Sequence, residues 1–589
     1  MRQRSETFPV ALPAALIAAV ITGFAVLSWP ALTRVPFYTK GEPREALVVQ
    51  SLAGGDNVIL PTRNGNELPS KPLLFHWLGA AISILDGGVT EATVRMPSLI
   101  ASVVTLVATA AAAWAWAGPS TAAASTVVLA TSLQWLASSV TARVDLLLAA
   151  CIALALFAFA RAYHAGRPIP LATYALMVAA TLTKGPVGLV LPSMVVLAFL
   201  WARRDLAYLR AADARRLAAA CAAASIWYVA AFVVGGEAFV AKQILKENVL
   251  RVLDPDSVDA GHVRPFWYYV PLLAAGAAPW TLFAPALAVS WRRRRSELLE
   301  GPMLLPLVWL AVTVGLFSLA GSKRSVYLLP AYPAIALLVG RAWATLDEDC
   351  TEPSRAREVS MTIGAAAIGV LATVAAMAVA AHLAGAQVAP MLAPLMSETD
   401  NANVPAALAS IDAHQGLAAL WAALVVAATA GMGFALRGGR CRAVMGCAAA
   451  IVMATAVFAS TTLLPALAER RSSRGFLSRA EAVLPADAPL SFFGGIDYGA
   501  VFYRGRPIPT LERLADLSPI DGAWLLTRRA SLPALATQAQ EWKTGHEASG
   551  TYDVAEVLAD QPSQSSLLLV RIVRRPRDER SSGNREARP

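Results

Sequence analysis

Long apolar runs recur along most of the chain, separated by short polar stretches. A helix needs about 20 apolar residues to cross the hydrocarbon core of a bilayer. The pattern therefore predicts a mostly α-helical, polytopic membrane protein with about thirteen membrane-spanning helices. The predicted spans are residues 9–31, 93–117, 119–139, 143–162, 169–183, 186–202, 213–235, 265–291, 303–320, 325–345, 360–385, 414–436 and 441–464.

After Pro465 the apolar runs become short. The stretches APLSFFGGIDYGAVFYRGRPIPTL, GAWLLTRR and SSLLLVRIVRR predict short strands between turns. SRGFLSRAEAVL and SLPALATQAQEWK predict helices. We therefore expect a transmembrane domain at 1–465, a small external α/β domain at 466–575 and a disordered polar tail at 576–589. Long external loops are predicted at 32–92 and 236–264, and a shorter one at 386–413.

Composition excludes an ordinary soluble domain, because 56% of the residues are hydrophobic and 15% are charged, against about 25% charged in soluble proteins. The net charge is +10, and the arginines collect in alternate loops such as WRRRRSE. Since cytoplasmic loops carry an excess of Lys and Arg, these clusters indicate topology rather than nucleic-acid binding. They predict a cytoplasmic N-terminus, and an odd number of spans then places the C-terminus outside. Because the predicted external face has no cysteines, which fits a bacterial envelope, we expect a bacterial inner-membrane protein with a periplasmic C-terminus.

Ionisable residues near a bilayer are functional candidates, because exposing them to lipid is costly. On the predicted external side they collect at the ends of spans. A crevice with carboxylates and several cations suits a lipid substrate that carries a phosphate. The set consists of Glu42, Arg44, Glu45, Lys71, Arg143, Asp145, Lys184, Lys246, Glu247, Arg251, His262, Lys323 and Arg324.

Structural roles are an alternative for these residues. Lys and Arg at the ends of spans commonly extend to lipid headgroups. Asp145 begins an apolar run, where a carboxylate is costly unless it is paired or functional. A simple ion pair with Arg143, two residues before it, is therefore the alternative to a catalytic role.

Several stretches resemble those of integral-membrane glycosyltransferases with the GT-C fold, in particular the ArnT-like and protein-O-mannosyltransferase-like group. That group has D-E-x-R-Y-A after the first span, then G-D-W-x-x-P, N-G and E-K-P-P-L-x-x-W. This chain has GEPREA, GGDNVILP and NGNELPSKPLLFHW in the same order. TARVDLLLA, TLTKGPVGLVLP, RPFWYYVPLLAAGAAPWTLF and FSLAGSKRSVYLLPAYPAIALL are similar to later stretches.

The resemblance covers nearly the whole chain and implies a GT-C fold with an external α/β domain. It also implies transfer of a sugar from a polyprenyl-phosphate carrier to an envelope lipid, glycan or protein at the external face of the membrane. The lipid bilayer is an implied partner, and nucleic acid is not. Such a reaction needs a carboxylate that takes or orients the acceptor proton, and cations that stabilise the leaving lipid phosphate.

Two acids of the group's pattern are missing. Gly41 stands where the group has the first acid of its D-E pair, and Ser70 stands where it has the Glu before the lysine. We therefore predict Glu42 as the base, with Glu45 and Asp145 as alternatives. A degenerate protein that binds without catalysing is a third interpretation.

Substrate binding is assigned mainly to cations, with Tyr327 contributing a hydroxyl. The predicted binding residues are Arg44, Lys71, Arg143, Lys184, His262, Lys323, Arg324 and Tyr327. No cofactor is certain. A divalent metal held by Glu42, Glu45 and His262 is an alternative that no ligand spacing compels.

Two other functions stay open. One is a transporter or flippase, although no acidic residue is predicted deep within a span and no pair of broken helices is evident at the midplane. The other is a non-catalytic lipid-phosphate-binding or assembly protein, which the missing acids allow.

Overall fold

The computed structural model describes residues 11–250, 264–346, 355–486, 488–517, 521–541, 552–559 and 567–574. The chain divides into two compact units. The helical unit comprises Met1–Val35, Val48–Thr62 and Leu68–Ala466. The sheet unit comprises Pro36–Leu47, Arg63–Glu67 and Leu467–Pro589. The predicted first external loop, 32–92, therefore contributes residues to both units.

The helical unit consists almost entirely of helices, in agreement with its long apolar runs. The first ten α-helices are α1 (Ala11–Thr33), α2 (Glu42–Ala53), α3 (Leu74–Asp86), α4 (Glu91–Ala117), α5 (Pro119–Thr131), α6 (Leu133–Ser139), α7 (Val144–His164), α8 (Leu171–Lys184), α9 (Val187–Ala202) and α10 (Ala211–Phe239). Helix α2 includes residues of both units. A π-helix, Val240–Leu250, follows α10.

Further helices follow along the chain up to the C-terminal part of the sheet unit. The later α-helices are Tyr269–Gly276, Ala284–Arg293, Arg295–Glu300, Leu304–Leu319, Tyr332–Thr345, Arg355–Leu383, Ala389–Leu392, Glu398–Asn401, Val404–Ala413, Gln415–Arg437, Cys441–Phe458 and Leu464–Arg471. A 3-10 helix, Ser325–Ala331, precedes Tyr332–Thr345.

Among the described residues, eight helices are long and apolar enough to cross a membrane, and a bent pair makes a ninth if it counts as one span. The chain is therefore a mostly α-helical, multi-pass membrane protein, as predicted. Every predicted span overlaps helix. Helices α8, α9 and Leu304–Leu319 are apolar but have fewer than 18 residues.

Two predicted spans are not continuous helices. Residues 119–139 form α5 and α6, because Ser132 between them is extended (φ −68°, ψ 121°). The second is the bent pair Phe266–Gly276 and Trp280–Arg293, whose axes differ by 98°. Pro279 lies in the break, and its missing N–H cannot continue the helical hydrogen bonds. The predicted external loop at 386–413 includes the short helix Val404–Ala413.

A five-stranded sheet organises the sheet unit, with strand order β2-β1-β3-β5-β4. Strand β1 pairs in parallel with β2 and β3, whereas β5 is antiparallel to β3 and β4. The helices are Ser473–Val483, Tyr498–Arg504 and Leu532–Glu541. The strands are β1 (Leu490–Phe493), β2 (Thr510–Leu511), β3 (Trp524–Arg528), β4 (Tyr552–Ala559) and β5 (Leu567–Arg574).

The small C-terminal sheet was predicted, but one strand and one helix of the sheet unit were not. Strand β4 lies in a stretch for which no element was predicted. Helix Tyr498–Arg504 falls inside a stretch predicted as strands, because the side chain of Asp497 caps it by accepting a hydrogen bond from the Ala500 N–H at 3.0 Å. The predicted tail, 576–589, lies outside the described residues.

Helix Tyr332–Thr345 packs very closely against α5. A β-carbon placed on Gly340 would come within 2.2 Å of the Ser125 Oγ. Glycine at this position therefore lets the two helix backbones approach, as small residues do in membrane helix pairs. Val128 of α5 and Ile335 of the other helix belong to the same buried apolar cluster.

This close approach predicts the effect of adding one methyl group. Gly340→Ala should lower the free energy of unfolding by about 1–3 kcal/mol, because Ser125 must move to make room. Gly315 is the matched control, since an added β-carbon there meets no heavy atom within 4 Å. Gly315→Ala should raise the free energy of unfolding by about 0.5–1 kcal/mol. Unfolding in mixed micelles with increasing SDS measures both, and equal effects would contradict the packing argument.

Candidate active site

A buried carboxylate with two cations lies in the helical unit. Asp145 is in the first turn of α7 and is 3% exposed. The Lys184 Nζ donates a hydrogen bond to its Oδ1, and the Arg143 Nε lies 3.7 Å from its Oδ2. The N-terminal end of a helix also favours a negative charge. The predicted pair with Arg143 is therefore present, and Lys184 from the end of α8 joins it.

Tyr327 completes this cluster from a third segment. The Lys184 Nζ lies 4.2 Å from the centroid of the Tyr327 ring, within the range of a cation–π interaction. Helix α8 ends at this lysine because Gly185 has φ 101°, a conformation that favours glycine. Arg324 is close enough to Lys184 for the two positive charges to interact. Three of the predicted binding residues, Arg143, Lys184 and Tyr327, thus gather around Asp145.

Lys71 reaches the same region from the segment before α3. Its Nζ donates a hydrogen bond to the Glu247 Oε2 at 2.8 Å, and its charge also acts on Asp145. A second hydrogen bond, from the Gln243 Nε2 to the Pro69 carbonyl at 2.9 Å, fixes this segment to the π-helix. The cluster of Lys71, Arg143, Asp145, Lys184, Glu247 and Tyr327 is called the carboxylate–lysine cluster.

Lys323 has a different environment. Its ammonium group is buried and donates hydrogen bonds to the carbonyls of Arg264 and Ala320. Burial lowers the pKa of this lysine. At least two of its three N–H donors are therefore directed to backbone, which suits a residue that fixes the loop.

The predicted catalytic acids Glu42 and Glu45 occupy the first turn of α2, where the helix dipole favours negative charge. The Glu42 side chain is buried, and its Oε2 accepts a hydrogen bond from the Thr39 Oγ1 at 3.3 Å. These residues belong to the sheet unit. Arg44 is exposed there, and its guanidinium lies 4.8 Å from the centroid of the Tyr498 ring.

Of the predicted metal ligands, the structure describes Glu42 and Glu45. Among the residues that the structure describes, no group of three His, Cys, Asp or Glu side chains is placed to hold a metal ion. His262 and Arg251 lie outside the described residues.

Glu247 was among the candidate charges, but its pairing with Lys71 was not predicted, and Tyr498 was assigned no role. Glu247 is 176 residues from Lys71 along the chain, and the two stretches carry no local signal of their pairing. Tyr498 lies in a stretch predicted as strands, where its contact with Arg44 could not be anticipated.

The fold has a counterpart among solved structures. The crystal structure of ArnT from Cupriavidus metallidurans bound to undecaprenyl phosphate superimposes with a TM-score of 0.71, covering 96% of this chain and 98% of that one at 18% identity. The apo structure of the same protein gives a TM-score of 0.70. The chain has the GT-C fold of ArnT. The resemblance to the ArnT-like group is confirmed.

Sequence comparisons agree with this fold. Residues 70–228 match the family described as dolichyl-phosphate-mannose-protein mannosyltransferase. A Pseudomonas aeruginosa protein named undecaprenyl phosphate-alpha-4-amino-4-deoxy-L-arabinose arabinosyl transferase is 29% identical over 308 residues. The match covers 51% of this chain and 54% of that protein. A Pseudomonas fluorescens protein of the same name, numbered 1, is 33% identical over 162 residues, which cover 27% of each chain. The matched region thus spans about half the length of the first relative and about a quarter of the second.

The carboxylate–lysine cluster predicts strong coupling between Asp145 and Lys184. Asp145→Asn should lower the free energy of unfolding by about 3–5 kcal/mol, because it leaves a buried ammonium without its counter-charge. Combining it with Lys184→Met should restore much of that loss, giving a coupling energy above about 1 kcal/mol. SDS unfolding of the single and double variants measures this cycle.

A matched aspartate provides the control for this cycle. Asp412 is 53% exposed and pairs with His382, so Asp412→Asn should change stability by less than about 0.5 kcal/mol. Additive effects of the Asp145 and Lys184 substitutions would show that the pair does not act as a unit.

Proposed function

We propose that this protein is a membrane glycosyltransferase. It transfers a sugar from a polyprenyl-phosphate-linked donor to an envelope lipid, glycan or protein acceptor at the external face of the inner membrane. The observation that carries the proposal is the carboxylate–lysine cluster within an ArnT-like fold. Three cations gather there at the ends of apolar helices, where a lipid phosphate has its tail in the bilayer and its charge at the surface.

The cations have the chemistry that a leaving phosphate requires. Departure of the sugar leaves negative charge on the phosphate oxygens, and positioned Lys and Arg side chains stabilise that charge in the transition state. Lys71, Arg143 and Lys184 are the proposed ligands. The ArnT structure was solved with undecaprenyl phosphate, and the relatives are named for an undecaprenyl-phosphate sugar, which supports this class of donor.

Asp145 is better suited to positioning these cations than to accepting a proton. Its carboxylate already accepts a hydrogen bond from Lys184 and lies 3.7 Å from Arg143. Both of its oxygens thus already face cations, which suits a residue that positions Lys184 and Arg143. We therefore keep Glu42 as the proposed base and Glu45 as its alternative.

The proposed reaction is a displacement at the anomeric carbon of the donor sugar. An acceptor oxygen forms the new glycosidic bond, and the bond between the anomeric carbon and the phosphate oxygen breaks with its electron pair. The acceptor proton passes to Glu42. The polyprenyl phosphate leaves as an anion held by Lys71, Arg143 and Lys184.

The proposed orientation follows from charge. Arg-rich loops alternate with less basic ones along the chain, and the positive-inside rule assigns the former to the cytoplasm. We therefore infer a cytoplasmic N-terminus and an external sheet unit.

A non-catalytic lipid-phosphate-binding protein is the second candidate. The observation that favours it is the absence of acids at Gly41 and Ser70. The cluster around Asp145 would bind a lipid phosphate equally well without any chemistry, so only a transfer assay separates the two functions.

The decisive variant is Glu42→Gln, which keeps the shape of the side chain and removes its charge. Transfer from a labelled polyprenyl-phosphate sugar should fall by roughly 10²–10⁴-fold, the usual contribution of a general base. Reconstituted membranes with an extract of envelope acceptors provide the assay. Glu512→Gln makes the same chemical change at an exposed position of the sheet unit, and it should leave transfer unchanged.

The other outcomes assign the base or reject the reaction. A loss in Glu45→Gln but not in Glu42→Gln would move the base to Glu45. No transfer by the wild-type protein with any of several donor sugars would favour the non-catalytic function.

Lys71 allows a separate test of donor binding. Lys71→Gln should weaken binding of polyprenyl phosphate by about tenfold, because a charge-assisted contact to the phosphate is lost. Lys246→Gln is the matched control, since this lysine is exposed on the neighbouring π-helix. Binding is measured by tryptophan fluorescence of the purified proteins. Equal affinity in both variants would remove Lys71 from the site.

A further inference from the structure

A cavity of about 650 Å³ lies within the sheet unit, and all of its lining residues belong to that unit. Four cationic side chains line it, together with a single carboxylate, that of Asp497. It is called the basic pocket. The cations are Lys40, Arg44, Arg471 and Arg528.

The carboxylate of Asp497 is already engaged in the local fold. Its Oδ1 accepts hydrogen bonds from the Ser473 Oγ at 2.7 Å and from the Ala500 N–H at 3.0 Å. Its Oδ2 lies 3.9 Å from a terminal guanidinium nitrogen of Arg528. One carboxylate against four cations leaves the pocket with excess positive charge, and concave walls of low dielectric concentrate such a field.

One wall of the pocket is held in place by hydrogen bonds. The Tyr498 hydroxyl donates to the Glu67 Oε2 at 2.7 Å, and the Glu67 Oε1 accepts from Arg63 at 2.7 Å. Burial, followed by the bond to Glu67, raises the pKa of Tyr498, so its ring stays neutral at pH 7. The Arg44 guanidinium lies against this ring. A guanidinium held in this way is prepared for paired contacts with phosphate oxygens.

We propose that the basic pocket is a binding site for a phosphate-bearing headgroup. Lys40, Arg44, Arg471 and Arg528 are its ligands. The cavity falls within the usual size range of small-molecule sites, and it is larger than a single phosphate requires. A phosphorylated sugar or a phospholipid headgroup carries the matching chemistry. The inference goes beyond the proposed function, because binding here requires neither a donor nor sugar transfer.

Inorganic pyrophosphate is a suitable probe for the purified full-length protein in detergent. Calorimetric titration at low salt should show binding to the wild type. Arg528→Gln should weaken it by about tenfold, since one charge-assisted contact is lost. Arg529→Gln removes the same charge from the next residue, which pairs with Glu556 at 3.6 Å and does not line the pocket. This control should leave the affinity unchanged.

A variant that should bind pyrophosphate more tightly than the wild type provides a second test. Asp497→Asn keeps an oxygen that caps helix Tyr498–Arg504, because asparagine is as good an N-cap as aspartate. It removes the negative charge of the pocket, so pyrophosphate should bind about threefold to tenfold more tightly. A merely structural disturbance would not raise the affinity.

Three results would each overturn the proposal. They are no pyrophosphate binding to the wild type, equal weakening by Arg528→Gln and Arg529→Gln, and no gain of affinity in Asp497→Asn. Pyrophosphate binding without sugar transfer would support this site and count against the proposed function. Sugar transfer without pyrophosphate binding would support the proposed function and contradict this site.

Titrations in nanodiscs distinguish a phospholipid headgroup from a phosphorylated sugar as the ligand. Titrations are repeated in discs of phosphatidylcholine alone and in discs that also contain phosphatidylglycerol. Weaker apparent binding in the second kind identifies a phospholipid headgroup as the competitor. Equal binding identifies a phosphorylated sugar as the class of ligand.

Discussion

The ion pair between Asp145 and Lys184 is the constraint on which the candidate site depends. A carboxylate that is 3% exposed in an apolar helical unit is stable only with a counter-charge and hydrogen bonds. Lys184 supplies both, so α8 must end beside the start of α7. Gly185 permits that end because its φ of 101° costs glycine little. Tyr327 then covers the ammonium group, and the three chain segments are fixed together.

The same principle determines where the predicted first external loop begins. Arg95 in α4 is 1% exposed, and its Nη1 donates hydrogen bonds to the carbonyls of Ala31, Leu32 and Val35. The last carbonyls of a helix lack partners within it. A buried guanidinium and the end of α1 therefore satisfy each other. In a chain with few charges, buried Asp145 and Arg95 each fix the position of a helix end, and helix ends carry the candidate chemistry.

Most of the fold could be predicted from the sequence, whereas much of the candidate site could not. Apolar runs specify helices because backbone groups in lipid must be satisfied within one segment, and every predicted span overlaps a helix. The pair of Arg143 and Asp145 was predictable because the residues are two apart. The contact of Lys71 with Glu247 joins residues 176 apart, and only tertiary packing brings them together. Arg471 and Arg528 join Arg44 for the same reason.

The pattern of retained and missing charges bears on the chemistry of the acceptor. Gly41 and Ser70 replace two acids of the ArnT-like pattern, while Lys71, Arg143 and Lys184 are present at the cluster. Under the proposed function, the cations that would stabilise the leaving phosphate are thus kept, and the supply of proton acceptors is reduced. A hydroxyl acceptor needs a base, since its proton must leave as the bond forms. A phosphate acceptor is largely ionised at pH 7, because its second pKa is about 6, and it brings its own nucleophilic oxygen. Such an acceptor needs no general base, and the loss of neighbouring acids would cost little.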